Sequence, residues 1–232
     1  MRIWDIHPGY LNRQSLLGEH RELHGIVSIF VNNKKGYSRH PETLRWVHHG
    51  WALRIRHQQL ACEMALRGFT DRSPVTLQSN AGNWPKIYID PPDVQFSLLH
   101  AKYEGKEEGR IALPENAQQL WSQHKYSVLA RDPNLYKEIG QTLADHGIGF
   151  ADLALRLTET LRQQPNEGGI CNAVQHMWGY VSDDDSADKP DVLAWSLKTL
   201  LSETQRRAME RKIPYLTAST ALSELMLWLS DS

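Results

Sequence analysis

From Pro8 to about Asn32, Leu16, Leu23, Val27 and Phe30 recur at steps of seven, four and three. This spacing gives one apolar helical face and predicts a first helix, ended by Asn32-Asn33-Lys34-Lys35-Gly36. Pro41 opens a second run in which Leu44, Val47, Trp51, Ile55, Cys62 and Leu66 share a face, with Gly68 as its stop. The other side of that run carries Arg45, His48, His49, Arg56 and His57, a stripe that reads either as DNA-facing or as an ordinary solvated face. Residues 70 to 92 hold Pro74, Asn80, Gly82, Asn83, Pro85, Pro91 and Pro92, which predict an irregular connector with one extended stretch at Lys86 to Ile89. A third helix is expected from Asp93 to about Lys106.

Gly105, the charged run Lys106 to Arg110 and Pro114 mark a domain boundary, dividing residues 1–110 from 111–232. Beyond it, helical patterns cover 115–131, 133–146, 150–163, 170–181, 190–211 and 214–229. The predicted fold class is all-α, a three-helix N-terminal domain followed by a C-terminal helical domain. Asp183-Asp184-Asp185 reads as a solvated loop, and no internal repeat is visible.

Composition narrows the classes. A chain of 232 residues with 41% hydrophobic content is neither disordered nor membrane-spanning. Its opening residues lack the basic, apolar, small-residue order of a signal peptide, so a cytoplasmic location is expected. Cys62 and Cys171 are too few for a disulfide framework or a cysteine-rich zinc site and read as buried thiols. The net charge of -1 conceals an asymmetry: residues 1–110 hold 15 Lys+Arg against 11 Asp+Glu, whereas residues 111–232 hold 11 against 16. Eight of the eleven histidines lie in the first part. A polyanionic partner therefore suits the N-terminal part, and a protein or small-ligand partner suits the acidic second half.

One chemistry fits the first helix. A terminal α-amine is intrinsically much less basic than a lysine side chain, so a useful fraction is neutral and nucleophilic near physiological pH. It can attack the anomeric carbon of a deoxyribose if a carboxylate stands beside the sugar. Glu22 can be that carboxylate, and Arg21 beside it offers a bidentate grip on phosphate. Gln14, Gly18 and Glu22 fall at i, i+4 and i+8, one helical face with a small residue below the carboxylate. Glu19, Arg21 and Glu22 also fit plain surface charges on an amphipathic helix, and spacing alone leaves both readings open.

Met1-Arg2-Ile3 followed by Leu16-Leu17-Gly18-Glu19-His20-Arg21-Glu22-Leu23 resembles the pyrimidine-dimer DNA glycosylase family typified by the phage endonuclease V. The end of the second predicted helix, Leu66-Arg67-Gly68-Phe69, and the segment Ala101-Lys102-Tyr103-Glu104-Gly105-Lys106 extend the likeness over most of residues 1–106. The resemblance implies a glycosylase with apurinic/apyrimidinic lyase activity on ultraviolet photoproducts or a related lesion in double-stranded DNA, working through an imine and β-elimination. Met1 would supply the amine and Glu22 the carboxylate; Arg2, Gln14, Arg21, Lys102 and Lys106 would contact DNA; no metal and no cofactor is implied. A nucleoid-associated location would follow.

The chain departs from the family in three places. Met1 stands where the phage enzyme exposes a threonine, and the bulky Arg2 should prevent its removal. Gly25 replaces an arginine, and the dimer-recognising aromatic tail has no clear counterpart.

Residues 121–140, Asn172 to Tyr180 and Lys212 to Tyr215 resemble a helical domain of unknown function that also occurs appended to thiouracil desulfidase-like proteins. His124, Lys125, Tyr126 and His176 there fit either a nucleotide site or helix packing. Two rival functions stay open at this stage: a non-catalytic damaged-DNA recruitment module, and a protein handling modified RNA bases or nucleotides through its second half.

Overall fold

Eleven α-helices and no strand make up the regular structure of the described residues, 1–182 and 194–229 of a computed structural model. The expected all-α class is the one observed. The chain divides into two units, Met1–Gly109 and Arg110–Ser232.

In the N-terminal unit a 3-10 turn at Pro8–Tyr10 precedes α1 (Arg13–Asn32), so the first helix starts later than expected. Asn12 caps it by accepting the Ser15 N–H, and Asn33, in the left-handed region at φ 49°, ends it. The buried face runs through Leu16, Glu19, Leu23 and Ile26, whereas Val27 and Phe30 are only half-buried.

The second predicted helix is two, α2 (Pro41–Arg45) and α3 (Gly50–Leu66), broken where His48 takes φ 66°. The face expected to be buried is wrong in α2 and weak in α3: Leu44 is 55% exposed, and Val47, Trp51, Cys62 and Leu66 are half-buried. Buried instead are Leu53, Arg56, His57, Leu60, Glu63 and Met64. The cause is charge pairing inside the unit, Arg56 with Glu19 and Arg67 with Glu63, which lets ionic residues occupy positions that hydropathy assigns to the surface. Lys86 to Ile89 form no strand, and α4 (Pro92–Tyr103) stops before Lys106, after which Gly105 turns the chain at φ 67°.

The C-terminal unit is built around α5 (Ala117–Leu129), against which α6 (Pro133–Ala144), α7 (Phe150–Leu161) and α8 (Glu167–Trp178) pack. The α8 N-terminus comes so close to the end of α5 that a Cβ on Gly169 would lie 2.1 Å from the Ala130 carbonyl oxygen. Following α9 (Leu197–Glu210), the single helix expected at 214–229 breaks into α10 (Pro214–Thr217), α11 (Ala221–Glu224) and a 3-10 turn at Leu225–Trp228. A buried bidentate pair between Arg131 and Glu224 ties this end to α5, with contacts of 2.9 and 3.0 Å. Asp183-Asp184-Asp185 and the start of the pattern at 190 lie outside the described residues. Cys62 and Cys171 are half-buried rather than buried. No helix among the described residues is long and apolar enough to cross a membrane.

Candidate active site

The first seven residues have no regular secondary structure, yet Ile3, Trp4 and Ile6 are each more than nine-tenths buried. Their burial contributes roughly 5–9 kcal/mol as an upper bound. A buried irregular segment must find partners for its amides. Four successive amides meet side chains there: Arg2 N–H donates to Glu22 Oε2 at 2.5 Å and Asp5 N–H to Gln95 Oε1 at 2.8 Å, and between them the Ile3 and Trp4 amides face the Glu42 and Glu19 carboxylates. The alternation has the two-residue period of an extended chain. Glu19 and Glu22, neighbours on α1, take Arg2 and Trp4; α2 and α4 take Ile3 and Asp5.

The acceptors are themselves fixed. Arg56 grips both oxygens of Glu19 at 2.7 and 3.0 Å and donates to the Ile6 carbonyl at 2.9 Å. Arg45 pairs with Asp5 at 2.7 Å and Glu42 at 2.9 Å and donates to the Ile3 carbonyl at 3.1 Å. Burial pushes the Glu19 and Glu42 carboxyls up, against the pull of Arg56 and Arg45 respectively.

This scaffold puts the Met1 α-amine 3.9 Å from Glu22 Oε1. Glu22 differs from the other two carboxylates on the segment in being open, with 42% of its side chain exposed against 0% for Glu19 and 3% for Glu42. One oxygen holds the Arg2 amide; the other faces the amine and solvent. Gln14 and Arg21 are exposed on the same helix, and a Cβ on Gly18 would meet nothing within 4 Å, so the surface below Glu22 is open.

Lys102 and Lys106 are exposed, with Lys106 Nζ donating to the Lys102 carbonyl at 3.1 Å. That end of α4 is tied to the start of α1, since Tyr103 accepts the Asn12 N–H at 3.0 Å and Asn12 donates to the Glu107 carbonyl at 3.1 Å. At 1.5 Å per residue, Asn12 lies about 15 Å along α1 from Glu22. Met1, Arg2 and Glu22 therefore come together, Arg21 adjoins them, and Gln14 with the two lysines sits towards the far end of the helix. The Arg2 guanidinium is held by the protein itself, 2.9 Å from Asp90 and 4.1 Å from the Trp4 ring centroid.

Two readings of the sequence need correction. Arg45, Arg56 and His57 do not form a solvated or DNA-facing stripe, because all three are buried; of that set only His48 is exposed. Glu19 is not a surface charge. Sequence reasoning also missed Glu42, Arg45, Arg56 and Gln95 as the scaffold of the terminus. Glu19 alone carried a signal, standing three residues after Leu16 and four before Leu23, in register with the buried face.

In the C-terminal unit, Lys125, Tyr126 and His176 share an aromatic cluster. The Lys125 ammonium lies 5.2 and 4.6 Å from the Tyr126 and Tyr215 rings, and His176 stacks on Tyr126 at 6.4 Å. Burial and the neighbouring Tyr180 push the Tyr126 phenol up. His124 is instead buried, its Nδ1 2.9 Å from the Leu120 carbonyl oxygen, and burial lowers it to about 4.

Residues 1–77 match the family described as pyrimidine dimer DNA glycosylase, and residues 125–203 match a family described as a protein of unknown function (DUF1722). The two matched segments are the pair whose joining the sequence suggested, and the first of them carries the amine, Glu22 and Arg21. No curated protein and no solved structure matches the chain.

Proposed function

We propose that this chain, which carries a segment of the pyrimidine dimer DNA glycosylase family, is a DNA-repair N-glycosylase and apurinic/apyrimidinic lyase acting on damaged duplex DNA. The observation that carries the reading is the Met1 amine 3.9 Å from an open Glu22 carboxylate, at the end of a segment held by the hydrogen bonds of the Arg2 and Asp5 amides to Glu22 and Gln95. Pre-positioning of this kind lowers the entropic part of the barrier.

In this reading the neutral amine attacks C1′ of the lesion nucleotide, the C1′–N glycosidic bond breaks, and the base leaves with a proton. The sugar ring opens, O4′ takes a proton, and an iminium forms between the amine nitrogen and C1′. Loss of a proton from C2′ then expels the 3′ phosphate by cleavage of the C3′–O bond, and water hydrolyses the imine to free the enzyme. Glu22 stabilises the cationic intermediate and relays protons through Oε1. Arg21, Gln14, Lys102 and Lys106 hold phosphates along α1, and the target nucleotide is turned out of the stack to reach the terminus.

The test is borohydride trapping of tag-free protein on duplexes bearing an abasic site or a cyclobutane dimer, with mass mapping of the attached peptide. A crosslink at the Met1 amine with both substrates is expected. Trapping on the abasic site alone would leave a lyase with another lesion specificity, and DNA binding without a crosslink would favour the recruitment module. Glu22→Gln retains an acceptor for the Arg2 amide and removes the charge, so strand cleavage should fall by roughly 10²–10⁴ with binding retained. Unchanged cleavage would overturn the role of Glu22.

A further inference from the structure

On α1 but around the helix from Glu22, His20 and His24 stand one turn apart and meet His57 of α3 and Asp71 of the segment that follows it. The three imidazole centroids form a near-equilateral triangle of 4.7, 5.1 and 4.9 Å. Asp71 completes the group: its Oδ1 lies 3.2 Å from His20 Nε2 and its Oδ2 3.5 Å from His57 Nε2. One ligating atom from each of the four residues lies within 4.8 Å of the others.

Ordinary packing does not account for the polar atoms of this group. His57 is 2% exposed, and neither His57 Nε2 nor His24 Nε2, both shut off from solvent, makes a hydrogen bond among the described residues. Buried polar nitrogens left in this way carry a desolvation cost that a bound cation would remove. From this geometry we infer that His20, His24, His57 and Asp71 form a binding site for a divalent transition-metal ion, with zinc the best match to a three-imidazole, one-carboxylate donor set. Bonds of about 2.0–2.1 Å in a tetrahedron require ligand atoms about 3.3–3.4 Å apart, so side-chain adjustments of an ångström or so bring the four into range.

The protonation states suit this use. Burial lowers His57 to about 4, and burial together with His20 lowers His24, which leaves these imidazoles neutral and able to donate a lone pair. The carboxylate of Asp71 is held below its usual range: burial opposes this, but the Ser73 N–H and the contact with His20 prevail. The site is structural rather than catalytic. At 100° per residue Glu22 projects about 160° around the helix from both His20 and His24, and four protein ligands leave no open position for substrate. A metal there clips α1, α3 and the residue 71 segment together behind the helix that carries Arg21 and Glu22.

The test uses tag-free, full-length protein, stripped with chelator, reloaded with zinc and desalted, with metal content measured by inductively coupled plasma mass spectrometry. We expect one equivalent of zinc in the wild type, lost in His24→Gln and in Asp71→Asn. The melting temperature of the wild type, but of neither variant, should rise by roughly 10 °C or more with zinc at a hundred times its dissociation constant. Circular dichroism establishes that the variants are folded. Should they fail to fold, cobalt titration of the wild type decides: intense tetrahedral d–d bands support the site, and a pale, octahedral spectrum overturns it. Wild-type protein that retains no more zinc than the folded variants also overturns it.

Discussion

Removing Glu19 should collapse the support beneath the N-terminal segment while leaving every exposed residue of the site in place. In Glu19→Ala the Arg56 guanidinium, only 2% exposed, loses both carboxylate contacts and keeps only the Ile6 carbonyl and a long contact to Gln59. Stripping one partner from a buried ion pair costs about 3–5 kcal/mol. The Trp4 amide also loses the carboxylate it faces, which adds to this cost only in part. A loss of about 4 kcal/mol is a large share of the roughly 5–15 kcal/mol that stabilises a domain of this size, and lowers its melting temperature by roughly 15–30 °C. Tryptophans occur in both units, so the assay is urea-dependent hydrogen exchange read by mass spectrometry on peptides from residues 1–109. The amides of Arg2 to Asp5 should exchange faster than in the wild type even without urea. Replacing both partners, Glu19→Met with Arg56→Met, leaves no orphaned charge and should recover at least half of the loss. A Glu19→Ala penalty below about 1 kcal/mol, the value of an exposed pair, would refute the reasoning, as would a double variant no more stable than the single one.

Three further outcomes are expected. Duplex affinity measured by anisotropy should fall with salt on a log-log slope of about -2.7 if Arg21, Lys102 and Lys106 are the phosphate contacts and Arg2 stays with Asp90; Asp90→Asn should move it toward about -3.6, and a flat response would argue against this face. The folded pKa of His124 is depressed from the ordinary 6.5 to about 4, so its contribution to the C-terminal unit is fully present above about 6.5 and is lost as pH falls toward 4. Denaturant titrations should therefore record a decline of at most about 3 kcal/mol across that window, which His124→Gln flattens. Gly169→Ala forces a methyl against the Ala130 carbonyl and should destabilise the C-terminal unit by about 1–3 kcal/mol in the same titrations.

Much of this molecule was legible in the chain because helical periodicity and punctuation are local. The helix-opening prolines at 41, 133 and 214 and the breaks between α5, α6 and α7 lie where the turn residues put them, whereas the cap at Asn12 starts α1 later than the pattern from Pro8 implied. What misled was the rule that charge faces water. Arg45, Arg56 and His57 fill inward positions because Asp5, Glu19 and Asp71 reach them from 37 to 40 residues, or 14 residues, away along the chain, and such pairings leave no periodic trace. The break at His48 was hidden because the residue there is not glycine, the usual mark of a left-handed turn between two helical patterns. Resemblance supplied the pairing of Met1 with Glu22, which spacing alone had left open.

The segment from Arg2 to Asp5 also acts as a ruler. The side chains its amides face alternate between α1 on one side and α2 or α4 on the other, so the segment has a register in the way a strand does. One residue inserted between Arg2 and Asp5 would turn each amide upstream of it toward the wrong side and carry the amine about 3.3 Å along the chain, out of reach of Glu22. If the amine is the nucleophile proposed above, its distance in residues from Asp5 is as much a requirement of the reaction as the carboxylate itself. Under the proposed mechanism, a chain with every named side chain intact but one residue inserted between Arg2 and Asp5 should bind DNA and yet form no imine.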